Sequence, residues 1–176
     1  FRFAHANRLS FPAMSISLSH GKEMDVGRFG LMQDQLPPME QGASDLLAWF
    51  PPESRGHPLD LEIGSGKGTF LVQQATQTPG VNYIGLEWAK QFWKFAADRC
   101  RRRNLENVRV VRVEAGMFVR VYVPDGLLRQ VHIYFPDPWP KKRHNKRRLV
   151  QEPFLRELHR VLEPSGMVRL ATDHTD

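Results

Sequence analysis

Residues 59–70 read LDLEIGSGKGTF. The first five are an apolar-rich run of strand length, and the three glycines at positions 64, 66 and 68 form a turn. From about Gly68 to Thr76 the spacing predicts a helix with Phe70 and Leu71 facing inward. A strand that passes through a glycine turn into a helix is the first half of a βαβ unit, and this one sets the expectation for everything downstream.

The same alternation continues. VNYIGLE (81–87) reads as a second strand, and residues 88–103 as an amphipathic helix with Trp88, Phe92, Phe95 and Ala96 on its inward face. NVRVVRV (107–113) alternates valine with polar residues as a third strand, and residues 130–135 make a fourth. A helix over 149–162 carries Phe154, Leu155, Leu158, Val161 and Leu162 at helical spacing. Pro164-Ser165-Gly166 stops it before a strand over 167–172. About five alternations predict an α/β fold, a doubly wound sheet of parallel strands joined by right-handed crossovers. Upstream, residues 1–57 hold breakers such as Pro37-Pro38 and Pro51-Pro52. They read as an irregular N-terminal arm with one short helix over 44–50, leaving 58–176 as the folded domain.

Ligands of such sheets sit outside the carboxyl ends of the strands, where the motifs of this chain fall. A dinucleotide fingerprint wants its third glycine at position 69, which is Thr69, and a phosphate-binding P-loop wants Ser or Thr after Gly66-Lys67, where Gly68 stands. The observed pattern is E-x-G-x-G-x-G. Glycine at 64, 66 and 68 lets a ligand approach the backbone, and the preceding carboxylate of Glu62 suits a ligand that carries positive charge rather than a pyrophosphate. Glu87, ending the second strand, suits the two hydroxyls of a ribose. Glu114, ending the third, can accept the exocyclic amine of an adenine.

The fourth strand runs into YFPDPWPKKRHNKRR (134–148). Three prolines in five residues stiffen the turn that presents Asp137 and Trp139, the latter to stack on a base or simply to pack. An acid and an aromatic held in this turn beside a dense positive charge can grip a nucleic-acid backbone while placing one base against a chemical group. Lys141, Lys142, Arg143, Lys146, Arg147 and Arg148 make a phosphate-binding segment beside this turn.

The chain has 176 residues, 41% hydrophobic and 25% charged, with a net charge of +6. That composition fits one soluble domain. The sequence pI is about 9.8, and the basic runs Arg99–Arg103 and Lys141–Arg148 point to a polyanionic partner. The single Cys100 has no partner for an internal disulfide, residues 1–19 show no targeting signal, and no apolar run is long enough for a membrane span. A cytoplasmic protein is expected. His132 and His144 lack metal-ligand spacing, so no metal is expected; His132 reads as a strand residue.

The glycine turn with Glu62, Glu87 and Glu114 resembles class I S-adenosylmethionine-dependent methyltransferases. PDPWPKKRHNKRR, with LEIGSGKG, IGLE and LATD in the same order, is similar to the bacterial tRNA (guanine-N7-)-methyltransferase family over residues 58–176. The resemblance implies a Rossmann-like sheet, S-adenosyl-L-methionine as donor, and methylation of guanine 46 in the tRNA variable loop. It implies donor contacts from Glu62, Gly64, Gly66, Gly68, Glu87, Glu114 and Asp137, with Asp137 also catalytic. It implies RNA contacts from Lys141, Arg143, His144, Asn145, Lys146, Arg147, Arg148 and Asp173, in a monomer or weak homodimer. The family usually has Asp at the Glu114 position, and it continues beyond Ala171-Thr172-Asp173 into a helix and a last strand pair, so an uncovered sheet edge is expected here. Two other readings are an RNA-binding module without catalysis and a nicotinamide dehydrogenase, the latter disfavoured by Thr69 and Glu62.

Overall fold

The structure, a computed structural model, describes residues 23–135 and 149–172 and the backbone of residues 3–5. Its strands are β1 (Phe3–His5), β2 (Gly30–Met32), β3 (Leu59–Ile63), β4 (Asn82–Leu86), β5 (Val108–Arg112), β6 (Leu128–Tyr134) and β7 (Leu162–Ala171). The helices are α1 (Thr69–Gln77), α2 (Lys90–Arg102), α3 (Ala115–Tyr122) and α4 (Glu152–Val161). All described strand pairs are parallel, in the order β1-β7-β6-β3-β4-β5-β2. The chain winds outward from β3 through β4 to β5 and then returns to β6 on the other side of β3. The switch point therefore lies between β3 and β6.

All five residues of β3 are buried, which is why LDLEI reads as a continuous run. Leu59, Leu61 and Ile63 face the core beneath α3 and α4, which also contains Phe118, Tyr122, Phe154 and Leu158. Asp60 and Glu62 alternate onto the opposite face, which carries a second core of Leu71, Tyr83, Trp93, Ala96, Cys100, Val108 and Val110.

Several expectations change. The short helix expected over 44–50 is present as a 3-10 helix, Leu46–Trp49, with Asp45 accepting from the Ala48 amide. The arm joins the sheet through β2, and its Leu36, Leu46 and Phe50 belong to the main core. The outer edge of β7, expected bare, pairs with β1. Helix α3 went unread because Gly116 and its valines are weak helix formers; burial of Phe118, Val119 and Tyr122 supplies what propensity lacks. The Pro164-Ser165-Gly166 break falls within β7, where the register jumps from Leu162 to Met167.

The inward face of α2 is Trp93, Ala96, Ala97 and Cys100, whereas Trp88 is 60% and Phe92 37% exposed. The helix begins at Lys90, so its apolar stripe runs from Trp93 with spacing three, four and seven. Nor is the Arg99–Arg103 run a free basic face. Arg101 donates to the Asp25 carbonyl at 2.8 Å and to Asp98 at 2.9 Å, Arg102 pairs with Asp98 at 2.9 Å, and Arg99 donates to the Lys67 carbonyl at 2.9 Å. Among the described residues, Arg103 carries no such bond, and its side chain is exposed.

Arg160 of α4 closes the end of α3. Its guanidinium donates to the carbonyls of Val123 and Val119, each at 2.9 Å, and pairs with Asp125 and Glu157. Arg160→Ala leaves those carbonyls without their donor and should cost about 1–2 kcal/mol, read as a lower urea midpoint at unchanged slope.

Candidate functional site

The glycine turn is held to β4 by backbone bonds, with the Gly64 and Ser65 amides donating to the Leu86 carbonyl at 2.9 and 3.0 Å. Gly64 and Gly66 take φ of +77° and +51°, and a Cβ on either would point into open space. Gly68 differs. Its φ is +68°, but a Cβ there would meet the Ala96 Cβ at 2.8 Å and Cα at 3.2 Å. Expected as a donor contact, Gly68 does not line the cavity and serves instead the close approach of α1 to α2. Gly68→Ala combines left-handed backbone with that clash and should cost about 2 kcal/mol, measured by thermal unfolding. Gly85, which the sequence reading passed over, leaves room for Leu71 and for the Ser65 hydroxyl.

A cavity of about 960 Å³ opens at the carboxyl ends of β3, β4, β5 and β6, with the start of α4 as its far wall. Gly64, Gly66, Glu87 and Glu114 all line it. Glu87 accepts from the Gly66 and Ala89 amides, both at 2.8 Å, clamping the glycine turn to the end of β4. Glu114 caps α3, accepting from the Gly116 and Met117 amides at 2.7 Å. Each carboxylate oxygen keeps a second lone pair for a ligand. The rim carries exposed aromatics: Trp88, whose ring lies 5.3 Å from the Arg112 guanidinium, Phe92, and Phe135 at φ +50°.

Glu62 does not line the cavity. It is 5% exposed, and its Oε2 has no hydrogen-bond partner among the described residues. Burial pushes its pKa up to about 8; a Ser65 hydrogen bond opposes this and the nearby Glu87 charge adds to it. The ligand-free protein thus holds a neutral acid at neutral pH just behind the glycine turn.

Two residues earlier, Asp60 is 1% exposed and anchors a polar chain. Arg129 donates to both its oxygens at 2.8 and 2.7 Å, and His132 Nε2 lies 3.1 Å from Oδ2. On the other side of the imidazole, Nδ1 is 3.0 Å from the Tyr134 hydroxyl. Burial raises the Asp60 pKa, but the bonds from His132 and Arg129 outweigh it and hold the carboxyl below its ordinary range. His132 is a strand residue, as read. The chain around it was legible only as polar residues at alternate positions of two strands that turn out to be neighbours.

Asp137, Trp139, the segment Lys141, Lys142, Arg143, His144, Asn145, Lys146, Arg147 and Arg148, and Asp173 lie outside the described residues. Among the described residues no cluster of His, Cys, Asp or Glu is arranged to hold a metal, and no helix is long and apolar enough to cross a membrane.

The profile of the family described as "Putative methyltransferase" matches residues 56–176. The chain is 42% identical over 128 residues to a tRNA (guanine-N(7)-)-methyltransferase of Geobacter metallireducens, covering 73% of this chain and 61% of that protein. It is 43% identical over 122 residues to the protein of the same name in Alkalilimnicola ehrlichii, covering 69% and 52%. The chain therefore spans little more than half the length of these relatives. Among solved structures, phosphoethanolamine N-methyltransferase 2 of Haemonchus contortus in complex with S-adenosyl-L-methionine superposes with a TM-score of 0.53 at 18% identity, over 66% of this chain and 24% of that one. A 30S ribosomal A1408 methyltransferase from an uncultured bacterium gives 0.52 at 14% identity, over 68% and 56%. These two likenesses establish the shared fold.

Proposed function

The chain belongs to that methyltransferase family, and from this premise we propose that it transfers a methyl group from S-adenosyl-L-methionine to N7 of a guanine in tRNA, position 46 of the variable loop being the expected target. The observation that carries the reading is the cavity at the β3/β6 switch point, with open glycine backbone on one side and a carboxylate at the end of each of the next two strands. The residues fit the donor. Open space at Gly64 and Gly66 admits its backbone-hugging end, and the free lone pairs of Glu87 and Glu114 suit ribose hydroxyls and an adenine amine. The buried, unpartnered Glu62 oxygen suits a cationic group.

When bound, the donor supplies an electrophilic methyl whose bond to sulfur breaks as the bond to N7 forms, sulfur keeping the electron pair and guanine becoming cationic. The chain's part is to align the two partners, exclude water and place negative charge near the developing cation. Asp137, in the segment that follows β6 in sequence, is the proposed catalytic carboxylate, supplying negative charge and alignment. Lys141, Arg143, His144, Asn145, Lys146, Arg147, Arg148 and Asp173 are the proposed RNA contacts, in a cytoplasmic protein whose methyltransferase domain is residues 58–176.

The test is transfer of labelled methyl to tRNA lacking 7-methylguanosine, followed by borohydride and aniline, which cleave the strand where N7 is methylated. Cleavage at one variable-loop guanine, lost in Asp137→Ala, is the expected result. Label at any other atom refutes the N7 assignment, and binding of tRNA with no transfer refutes catalysis. If about four basic residues meet phosphates, tRNA affinity should fall roughly a hundredfold between 50 and 200 mM salt.

A further inference from the structure

The cavity-facing end of β6 is built differently from the rest of that strand. Val131 and Ile133 bury apolar side chains in the core beneath α3 and α4, whereas His132 and Tyr134, on the other face, continue the polar chain begun by Asp60. His132 is 4% exposed. A buried ionic cluster gives little net stability over an apolar one of the same shape, so its place beneath a cavity asks for another role. The chain meets the cavity at one residue, Tyr134, which lines it.

Asp60 sets the hydrogen-bonding roles along this chain when the imidazole is neutral. Asp60 takes two bonds from Arg129 and is held ionised, so it offers only lone pairs. His132 Nε2, 3.1 Å from Asp60 Oδ2, must therefore carry the hydrogen. In the neutral imidazole that leaves Nδ1 bare, and the Tyr134 hydroxyl 3.0 Å away donates to it. With its one hydrogen committed inward, the phenol oxygen keeps only lone pairs for the cavity side. Burial pushes the hydroxyl pKa up to about 12, with Arg169 opposing and Glu62 and Asp60 adding, so the phenol stays neutral. The ring is wedged edge-on against Phe70 at 5.0 Å, and Phe70 also packs on the imidazole at 4.7 Å.

We propose that His132 is a positioning residue for methyl transfer: locked by Asp60 into the Nε2–H tautomer, it accepts the hydrogen bond of the Tyr134 hydroxyl and holds that side chain as a fixed, electron-rich wall of the cavity. This inference rests on the donor reading given above. A sulfonium, and the guanine made cationic when it accepts the methyl, both favour an aromatic face and lone pairs over an outward O–H. No proton passes between this chain and the reactants, because N7 loses none. Tyr134 touches the reacting groups, and His132 acts through it.

Two measurements test the arrangement, on wild type, Tyr134→Phe, His132→Leu and the double variant. The first is a ¹⁵N correlation spectrum of histidine-labelled protein, with His132 assigned by the signal missing from His132→Leu. An Nε2–H signal whose Nδ1 partner shifts on Tyr134→Phe is expected, and an Nδ1–H tautomer overturns the proposal. The second is the single-turnover methylation rate beside the donor Kd. Each single variant should lose about tenfold in rate with donor Kd changed less than about twofold, and the double variant should lose no more than the larger single loss. Multiplying losses, or a loss confined to Kd, overturns the coupling while leaving the methyltransferase reading intact. Absence of any transfer by the wild type overturns that reading and this inference with it.

Discussion

Glu62→Gln is expected to stabilise the ligand-free protein at pH 7 by up to about 3 kcal/mol and to weaken S-adenosylmethionine binding by about 10- to 100-fold. The carboxyl is neutral in the folded protein up to about pH 8, against an ordinary value of 4.5, because burial removes it from water and Glu87 repels its charge. A folded pKa raised above the unfolded one means the contribution is fully present below pH 4.5 and is lost as pH climbs toward 8. At pH 7 that span is 2.5 units, or about 3 kcal/mol at 1.36 per unit. Glutamine has the same shape and no such dependence. Denaturant unfolding of the two proteins from pH 4 to 8.5 should show a gap that is near zero at the acid end and widens upward; a gap independent of pH would falsify the assignment. The functional loss has the same origin. If the proposed donor pairs its cationic group with the carboxylate, binding draws off the proton, so wild-type donor affinity should rise from pH 6 to a plateau above about 8, and the variant's should stay flat.

Asp60→Ala should cost about 3–5 kcal/mol, more than any other substitution considered. The side chain is 1% exposed, and removing it strands the Arg129 guanidinium and the His132 Nε2–H without an acceptor. The pH signature runs opposite to that of Glu62. A folded pKa held below the ordinary 3.8 gives stability that is present above that value and lost as pH falls through the lowered one. Two acids two residues apart on one strand face thus shape opposite limbs of the stability curve. Urea midpoints at pH 7 and pH 3 decide it: the deficit of Asp60→Ala should shrink at pH 3, and an undiminished deficit would point to a plain cavity effect.

The difference between these neighbours shows where sequence reading stopped. LDLEI says that two acids share a strand face, because side chains alternate. It does not say that β6 returns to lie beside β3, or that the register sets Glu62 opposite His132 and Asp60 opposite Gln130, within reach of Arg129. Asp60 was therefore invisible as an anchor, and so was the burial that keeps Glu62 neutral behind the glycine turn. Trp88 and Phe92 show the same limit, since the phase of α2 depends on where the helix starts, and two residues of offset move both aromatics from the core to the rim.

By itself the sequence determined the order of strands and helices from β3 onward except α3, the glycine turn, and the acids that end β4 and β5. These are local properties: periodicity, backbone freedom at glycine, and residue type at a strand terminus. The tertiary structure alone decided which acid is buried without a partner, which glycine packs against a helix instead of facing the cavity, and which arginines are already engaged. It also decided that the arm at 23–57 adds a strand and core residues to the sheet. Each of these depends on contacts between segments tens of residues apart, and such contacts leave no periodic trace in the chain that makes them.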